Sequence, residues 1–278
     1  MSIVFFDLDG TLWDMRGNIP QSAVRAVRAA RKNGHRIWVN TGRARSFVRK
    51  PELFEMGLDG IVCGCGTMIE RARTGQMEIG YEDNDVIFYR EMDRELALET
   101  VGVLKRHRIH SFLEGRDNLY VDVEEFGKYP YLEYVAQEMG ERLLPITGYE
   151  GKWRFNKLSC DLRDAVDMEG ALQFLNVHFH RMVHDRNVSE FIPKGCSKAE
   201  GLKQVCALEG IDVRDSIAFG DGGNDLLMLE AAGLGVCMGN GTEVAKEAAD
   251  LVTAAVYEDG VALALTRLGL IDQKDWQE

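Results

Sequence analysis

Short apolar runs that stop abruptly at polar loops recur along this chain, and their spacing predicts strands alternating with helices. Residues 3–6, Ile3-Val4-Phe5-Phe6, form one such run and end on Asp7, as a buried parallel strand does at its carboxyl end. Pro20 and Ser22 open a helical pattern that turns Val24, Val27 and Ala30 inward and closes at Gly34. A second strand is expected over 35–40, followed by Thr41-Gly42-Arg43, a helix to about Met56 and a third strand at 60–63. The rhythm returns at 216–219, with a helix through Leu226, Leu227 and Leu229, a strand at 234–237, and a helix–strand pair ending at 251–253. This alternation implies an α/β fold, a doubly wound parallel (Rossmann-like) sheet with right-handed crossovers. In such sheets ligands gather beyond the carboxyl ends of the strands.

Between these halves the pattern changes. A helix is expected over 86–107, strands at 112–114 and 120–123, and a helix over 131–139. A strand over 153–161, a helix over 165–179 and a strand at 182–183 complete the block. It reads as an inserted α+β domain over 84–188, with 1–83 and 189–278 forming the core. The length of 278 residues suits two domains, and 45% hydrophobic with 28% charged content is that of a globular protein.

A net charge of −12 argues against a nucleic-acid partner, which calls for basic patches. It suits an enzyme whose anionic substrate meets a bound cation. No apolar stretch approaches the ~18 residues of a membrane span, and the chain reaches Asp7 without a basic leader. The expected setting is therefore cytoplasmic, with no membrane partner. Cysteines 63, 65, 160, 196, 206 and 237 lack zinc-like spacing. Cys63-Gly64-Cys65 admits a redox or metal reading, although buried apolar thiols are the plainer one. His178, His180 and His184 admit a metal cluster, but His178 and His180 fit a strand face as easily.

The chemistry concentrates in four places. Asp7-Leu8-Asp9-Gly10-Thr11 puts two carboxylates at i and i+2 directly after a buried strand. Taken alone it is an acidic turn. Thr41-Gly42 is a strand-to-helix turn, Lys198 a solvated lysine, and Gly220-Asp221-Gly222-Gly223-Asn224-Asp225 an acidic helix cap. Together, in this order and beyond strand ends, they supply a nucleophile, an acid, a hydroxyl and amide cradle, a cation and metal carboxylates. No dinucleotide fingerprint, P-loop or serine-hydrolase elbow competes with them.

With these motifs, and with Met238-Gly239-Asn240-Gly241, 249–253 and Glu258-Asp259-Gly260-Val261 downstream, the chain resembles the haloacid dehalogenase (HAD) superfamily, in its Cof-like branch of metabolite phosphatases. The resemblance implies that Asp7 attacks phosphorus and forms an aspartyl phosphate. It implies Mg²⁺ held by Asp7, the Asp9 backbone carbonyl and Asp221, with Asp225 a direct or supporting ligand. Asp9 would protonate the leaving oxygen, a role that sets phosphatases apart from dehalogenases. Gly10, Thr41, Gly42, Lys198 and Asn224 would bind the phosphoryl group, and Thr11 would brace the loop. The inserted block resembles a cap that selects a small phosphorylated metabolite, a sugar phosphate foremost. Glu114, Arg116, Trp153, Arg154 and Lys157 are candidate contacts there, with ordinary strand-surface roles as the alternative. A phosphosugar mutase and a non-catalytic phosphometabolite sensor are the rival functions on the same scaffold.

Overall fold

The computed structural model describes residues 1–80, 84–123, 130–184 and 186–277. Two compact units emerge. The first comprises Met1–Gly42, Arg49–Phe88 and Ser197–Glu278; the second comprises Arg43–Val48 and Tyr89–Cys196.

The first unit is built on an eight-stranded sheet. In chain order its strands are β1 (Ile3–Phe6), β2 (Arg36–Asn40), β3 (Gly60–Cys63), β4 (Met68–Ala72) and β5 (Asn84–Tyr89), then β12 (Ser216–Gly220), β13 (Leu234–Cys237) and β14 (Leu251–Val252). Their spatial order is β14-β13-β12-β1-β2-β3-β4-β5. From β14 to β3 every neighbour is parallel, and β4 returns antiparallel to β3. The chain leaves β1 in one direction through β2 and β3, and reaches the other flank only at β12. That reversal opens a crevice at the carboxyl ends of β1 and β12, the usual ligand position in such sheets.

All four residues of β1 are buried, because a central parallel strand is covered on both faces. Ile3 and Phe5 pack in a core with Trp38, Val62, Leu202, Val205 and Ala218. Phe6 stacks against Phe219, ring centroids 4.8 Å apart. The helix Gln21–Lys32 buries Val24, Val27 and Ala30, packs on β2 and meets the helix Gly260–Arg267. Gly34, at φ +92°, takes the left-handed turn after that helix.

Two expected elements differ. A continuous helix after Thr41-Gly42-Arg43 does not form. A 3₁₀ turn at Arg45–Phe47 and a short helix at Pro51–Phe54 replace it. Pro51 starts the second piece and holds Lys50 extended, as a residue before proline prefers. The helix expected over 86–107 is instead β5 followed by a helix at Arg94–Arg106. Asp93 caps that helix by accepting from the Glu95 and Leu96 amides, so the β-rich Val86-Ile87-Phe88-Tyr89 run lies outside it.

The second unit carries a six-stranded sheet of β6 (His110–Glu114), β7 (Leu119–Tyr120), β8 (Leu143–Leu144), β9 (Lys157–Asp161), β10 (Phe179–Val183) and β11 (Val188–Pro193). Its order is β10-β11-β9-β6-β7-β8, antiparallel except for β7 and β8. One face bears Leu113, Leu158, Cys160 and Phe191, which pack with Val101 and Leu104 of helix Arg94–Arg106 and Leu175 of helix Met168–His178. On the other face Phe112, Leu119 and Val121 pack with Val135 and Met139, and Phe47 joins them. The alternation of faces along each strand sets this division.

Candidate active site

Three of the four predicted motifs follow strands of the first unit at their carboxyl ends, whereas Lys198 comes after β11 and opens a helix of the first unit. Asp7 follows β1, and its amide donates to the Phe219 carbonyl of β12 at 3.0 Å. The side chain is 3% exposed. Lys198 opens the helix Lys198–Glu209, which Ser197 caps by accepting from the Glu200 amide. Asn40, at the end of β2, donates from Nδ2 to the Lys198 carbonyl at 2.8 Å, joining that helix start to the sheet. Gly66 lets the β3–β4 turn lie against the same helix start: a Cβ there would come within 2.3 Å of the Ser197 carbonyl oxygen.

The Lys198 Nζ reaches Asp7 Oδ1 at 2.5 Å and Asp225 Oδ1 at 2.6 Å. Asp225 Oδ2 accepts from the Asp221 and Gly222 amides at 3.0 and 2.9 Å. Thus Asp225, fully buried, ties the lysine to the loop after β12. Thr11 donates to Asp221 Oδ1 at 3.4 Å, the bracing expected of it. Asp7, Asp221 and Asp225 each present one oxygen within 4.8 Å of the others.

The charges are unbalanced. Burial pushes the Asp7 carboxyl well above the usual range; Lys198 opposes this and Asp225 adds to it. Burial, reinforced by Asp225 and opposed by Lys198, pushes Asp221 up to about 6. Burial also disfavours the Lys198 ammonium, but Asp225 and Asp7 outweigh it and keep the lysine protonated well beyond its ordinary range. Three clustered carboxylates share one ammonium. A donor set of hard oxygens with surplus negative charge suits Mg²⁺.

Gly10 shapes the loop after β1. Its amide donates to the Trp13 carbonyl at 2.9 Å. Glycine is required there by space: φ is +77°, and a Cβ would lie 2.2 Å from Asp221 Oδ2. Thr41 is buried after β2. A Cβ built on Gly42 would stand 3.5 Å from both Asn224 Nδ2 and Cys65 Sγ. The turn after β2 therefore meets the loop after β12.

Sequence reasoning gave no role to Asn40 or Trp13, and quoted Asn240 only as part of a downstream signature. Trp13 Nε1 donates to Asp9 Oδ1 at 2.9 Å. Asn240 donates to the Gly10 carbonyl at 2.8 Å and accepts from the Val256 amide at 2.8 Å, linking the downstream signature to the first loop. Trp13 directly follows Leu12, so its indole reads in the sequence as one more apolar core residue.

Among the candidate contacts in the second unit, Trp153 belongs to its core and donates to the Ile146 carbonyl. Arg154 pairs with Glu91 at 2.9 Å in an exposed position, and Arg116 stands 4.0 Å from Asp117. Glu114 and Lys157 are buried against one another at 3.4 Å, and Lys157 also meets Glu190 at 2.9 Å. All six cysteines are buried. His178 stacks on Phe174 and His184 pairs with Glu190. Among the described residues the only metal-compatible cluster is the aspartate one, and no helix is long and apolar enough to cross a membrane.

Comparison with known proteins agrees with this arrangement. A family model described as haloacid dehalogenase-like hydrolase matches residues 4–265. The Bacillus subtilis protein named "Putative phosphatase YkrA" is 32% identical over 97% of this chain and 98% of its own. The 5-amino-6-(5-phospho-D-ribitylamino)uracil phosphatase YitU of the same organism is 26% identical over 94% of each chain. A HAD-superfamily phosphatase structure from Bacteroides thetaiotaomicron superposes with a TM-score of 0.77 at 25% identity, covering 98% of this chain and 96% of that one. With the acidic cluster at the switch point of the sheet and a family match along nearly its whole length, the chain belongs to the haloacid dehalogenase-like hydrolases, among the Cof-like phosphatases.

Proposed function

We propose that this phosphatase is Mg²⁺-dependent, forms an aspartyl phosphate on Asp7 and releases phosphate from a small polyhydroxylated metabolite, a sugar or sugar-alcohol phosphate. The observation that carries this reading is the convergence of Asp7, Asp221 and Asp225 around Lys198. Asp7 and Asp221, with the Asp9 carbonyl, would hold the cation. Both Asp225 oxygens already accept from protein donors, which favours a supporting role for that residue. Bound Mg²⁺ supplies positive charge that offsets repulsion between a carboxylate nucleophile and phosphoryl oxygens.

In the first step an Asp7 oxygen bonds to phosphorus while the bond to the leaving oxygen breaks, and Asp9 donates its proton to that oxygen. In the second, Asp9 takes a proton from water, whose oxygen attacks phosphorus and displaces Asp7. The sum is ester plus water giving alcohol plus phosphate, with both aspartates restored. Thr41, the Gly42 amide and Asn224 bind phosphoryl oxygens, and Lys198 neutralises charge beside Asp7.

The polyol preference draws on the ribityl phosphate that the relative YitU is named for. We assign the choice of leaving group to the second unit as a cap. Six buried thiols suit a reducing cytoplasm. A phosphate-release screen over a phosphometabolite panel, comparing native protein with Asp7→Asn, tests the proposal. Phosphate release by Asp7→Asn at the native rate would overturn it.

A further inference from the structure

The loop after β1 holds an indole where the reaction needs only the aspartates. Trp13 is 1% exposed, and a buried indole N–H must find an acceptor. The acceptor here is Asp9 Oδ1 at 2.9 Å. Backbone contacts fix the two residues together: Asp9 and Trp13 form an isolated bridge. The Gly10 amide donates to the Trp13 carbonyl, and the Trp13 amide donates to the Leu8 carbonyl at 3.0 Å.

The ring is also held from outside this turn. The Lys50 ammonium lies 5.6 Å from the centre of the Trp13 ring, within cation–π range. The same ammonium donates to the Gly17 carbonyl at 2.7 Å. Asp14 folds the intervening loop by accepting from the Arg16 and Asn18 amides, both at 2.8 Å. The indole is therefore a fixed donor, while Asp9 is a half-buried side chain on a loop with several rotamers to choose from.

We infer that Trp13 is a positioning residue that holds the Asp9 carboxyl in the orientation used for proton transfer to and from the leaving oxygen and the attacking water. The inference rests on Asp9 being the acid–base group. An N–H at Oδ1 makes that oxygen the acceptor, so the transferable proton is carried on Oδ2. The indole would thus choose both the rotamer of Asp9 and the oxygen that donates.

A tether of this kind matters in proportion to the need for an acid. An alkoxide leaves poorly without a proton, whereas the phenolate of p-nitrophenyl phosphate leaves without one. The test compares kcat/KM, which reports the steps through the first irreversible one, for p-nitrophenyl phosphate and for the alkyl phosphate turned over fastest by the native enzyme. Trp13→Phe keeps the apolar bulk and removes the N–H. It is expected to lower kcat/KM for the alkyl ester about tenfold or more, and that for p-nitrophenyl phosphate by less than about threefold, the direction that loss of acid catalysis takes. Asp9→Asn should show the same split with greater depth. If Trp13→Phe fails to fold, the benzothienyl analogue of tryptophan at position 13 alone, with sulfur replacing N–H, serves the same comparison. Equal losses on both esters, or none, with Asp9→Asn still split, would overturn the role of Trp13 and leave Asp9 as the acid. Absence of a split in Asp9→Asn would overturn the acid assignment and this inference with it.

Discussion

Each unit buries a lysine between two carboxylates, but the two clusters are constructed differently. In the first unit Lys198 joins Asp7 and Asp225, residues contributed by a helix start and two loops beyond parallel strands. In the second, Lys157 joins Glu114 and Glu190, residues on the neighbouring strands β9, β6 and β11. Strand neighbours are close by register alone, Glu114 opposite Lys157 and Glu190 opposite Ser159. The loop cluster has no such ladder and relies on backbone amides aimed at Asp225. It also contains a third carboxylate, Asp221, to which no salt bridge is made among the described residues. The contrast teaches that the strand cluster is closed by further protein partners, the Ser159 hydroxyl on Glu114 and His184 on Glu190, whereas the loop cluster gathers three carboxylates around Lys198.

Substitutions separate the two. Asp7→Asn is expected to have the largest effect, a loss of activity on the order of 10⁶-fold, the scale seen when a covalent nucleophile is removed. Phosphate release at saturating substrate checks it, with circular dichroism confirming the fold. Lys198→Met should lower kcat by ~10²–10³-fold, as loss of a charge-stabilising donor does.

The matching change in the second unit, Lys157→Met, should act on stability. It removes the ammonium that Glu114 and Glu190 share, costing about 3–5 kcal/mol, readable as a lower urea midpoint, while kcat for the remaining folded protein stays within about tenfold of native. Comparable catalytic losses in both lysine variants would erase the distinction. Adding Mg²⁺ at ~100 times its dissociation constant should stabilise the native protein by about 2.7 kcal/mol. Asp221→Asn should weaken that response, and Lys157→Met should leave it intact. Thermal melts with and without EDTA distinguish these outcomes.

The smallest effect concerns acid. Burial alone would raise Glu190, but Lys157 and His184 outweigh it and hold the carboxyl down at about 2. A carboxyl depressed on folding adds stability above its unfolded value near 4.5, and that stability is lost as pH falls towards 2. Glu114 has the opposite sign, because burial exceeds the pull of Lys157 and raises it. Glu190→Gln should therefore flatten the loss of stability between about pH 5 and 2. An unchanged acid limb in urea titrations would show that Glu190 carries none of it.

The same contrast explains what the sequence made legible. The loop cluster lies at the ends of apolar runs, in short contiguous motifs whose order matches strand order, so Asp7, Thr41, Lys198 and Asp221 stand out. Glu114, Lys157 and Glu190 are single residues in three strands that become neighbours only once register is set, and β11 has no distinct signal in the pattern. Trp13 was hidden differently: its apolar ring reads as core, and only the geometry reveals the Asp9 carboxyl at its N–H. The misread helices failed for local reasons, Pro51 in one case and the Asp93 cap in the other. In both, a short-range signal prevailed over apolar spacing.

The position of β1 has a consequence for the birth of the enzyme. It is hydrogen-bonded to β2 on one side and to β12 on the other, and 191 residues separate Asp7 from the lysine that meets it. A ribosome releases this strand long before β12, so it has only half its sheet partners until residues 216–220 emerge. Nascent chains halted before β12 will therefore carry Asp7 without Asp221 and Asp225 beside it, and are expected to hydrolyse nothing.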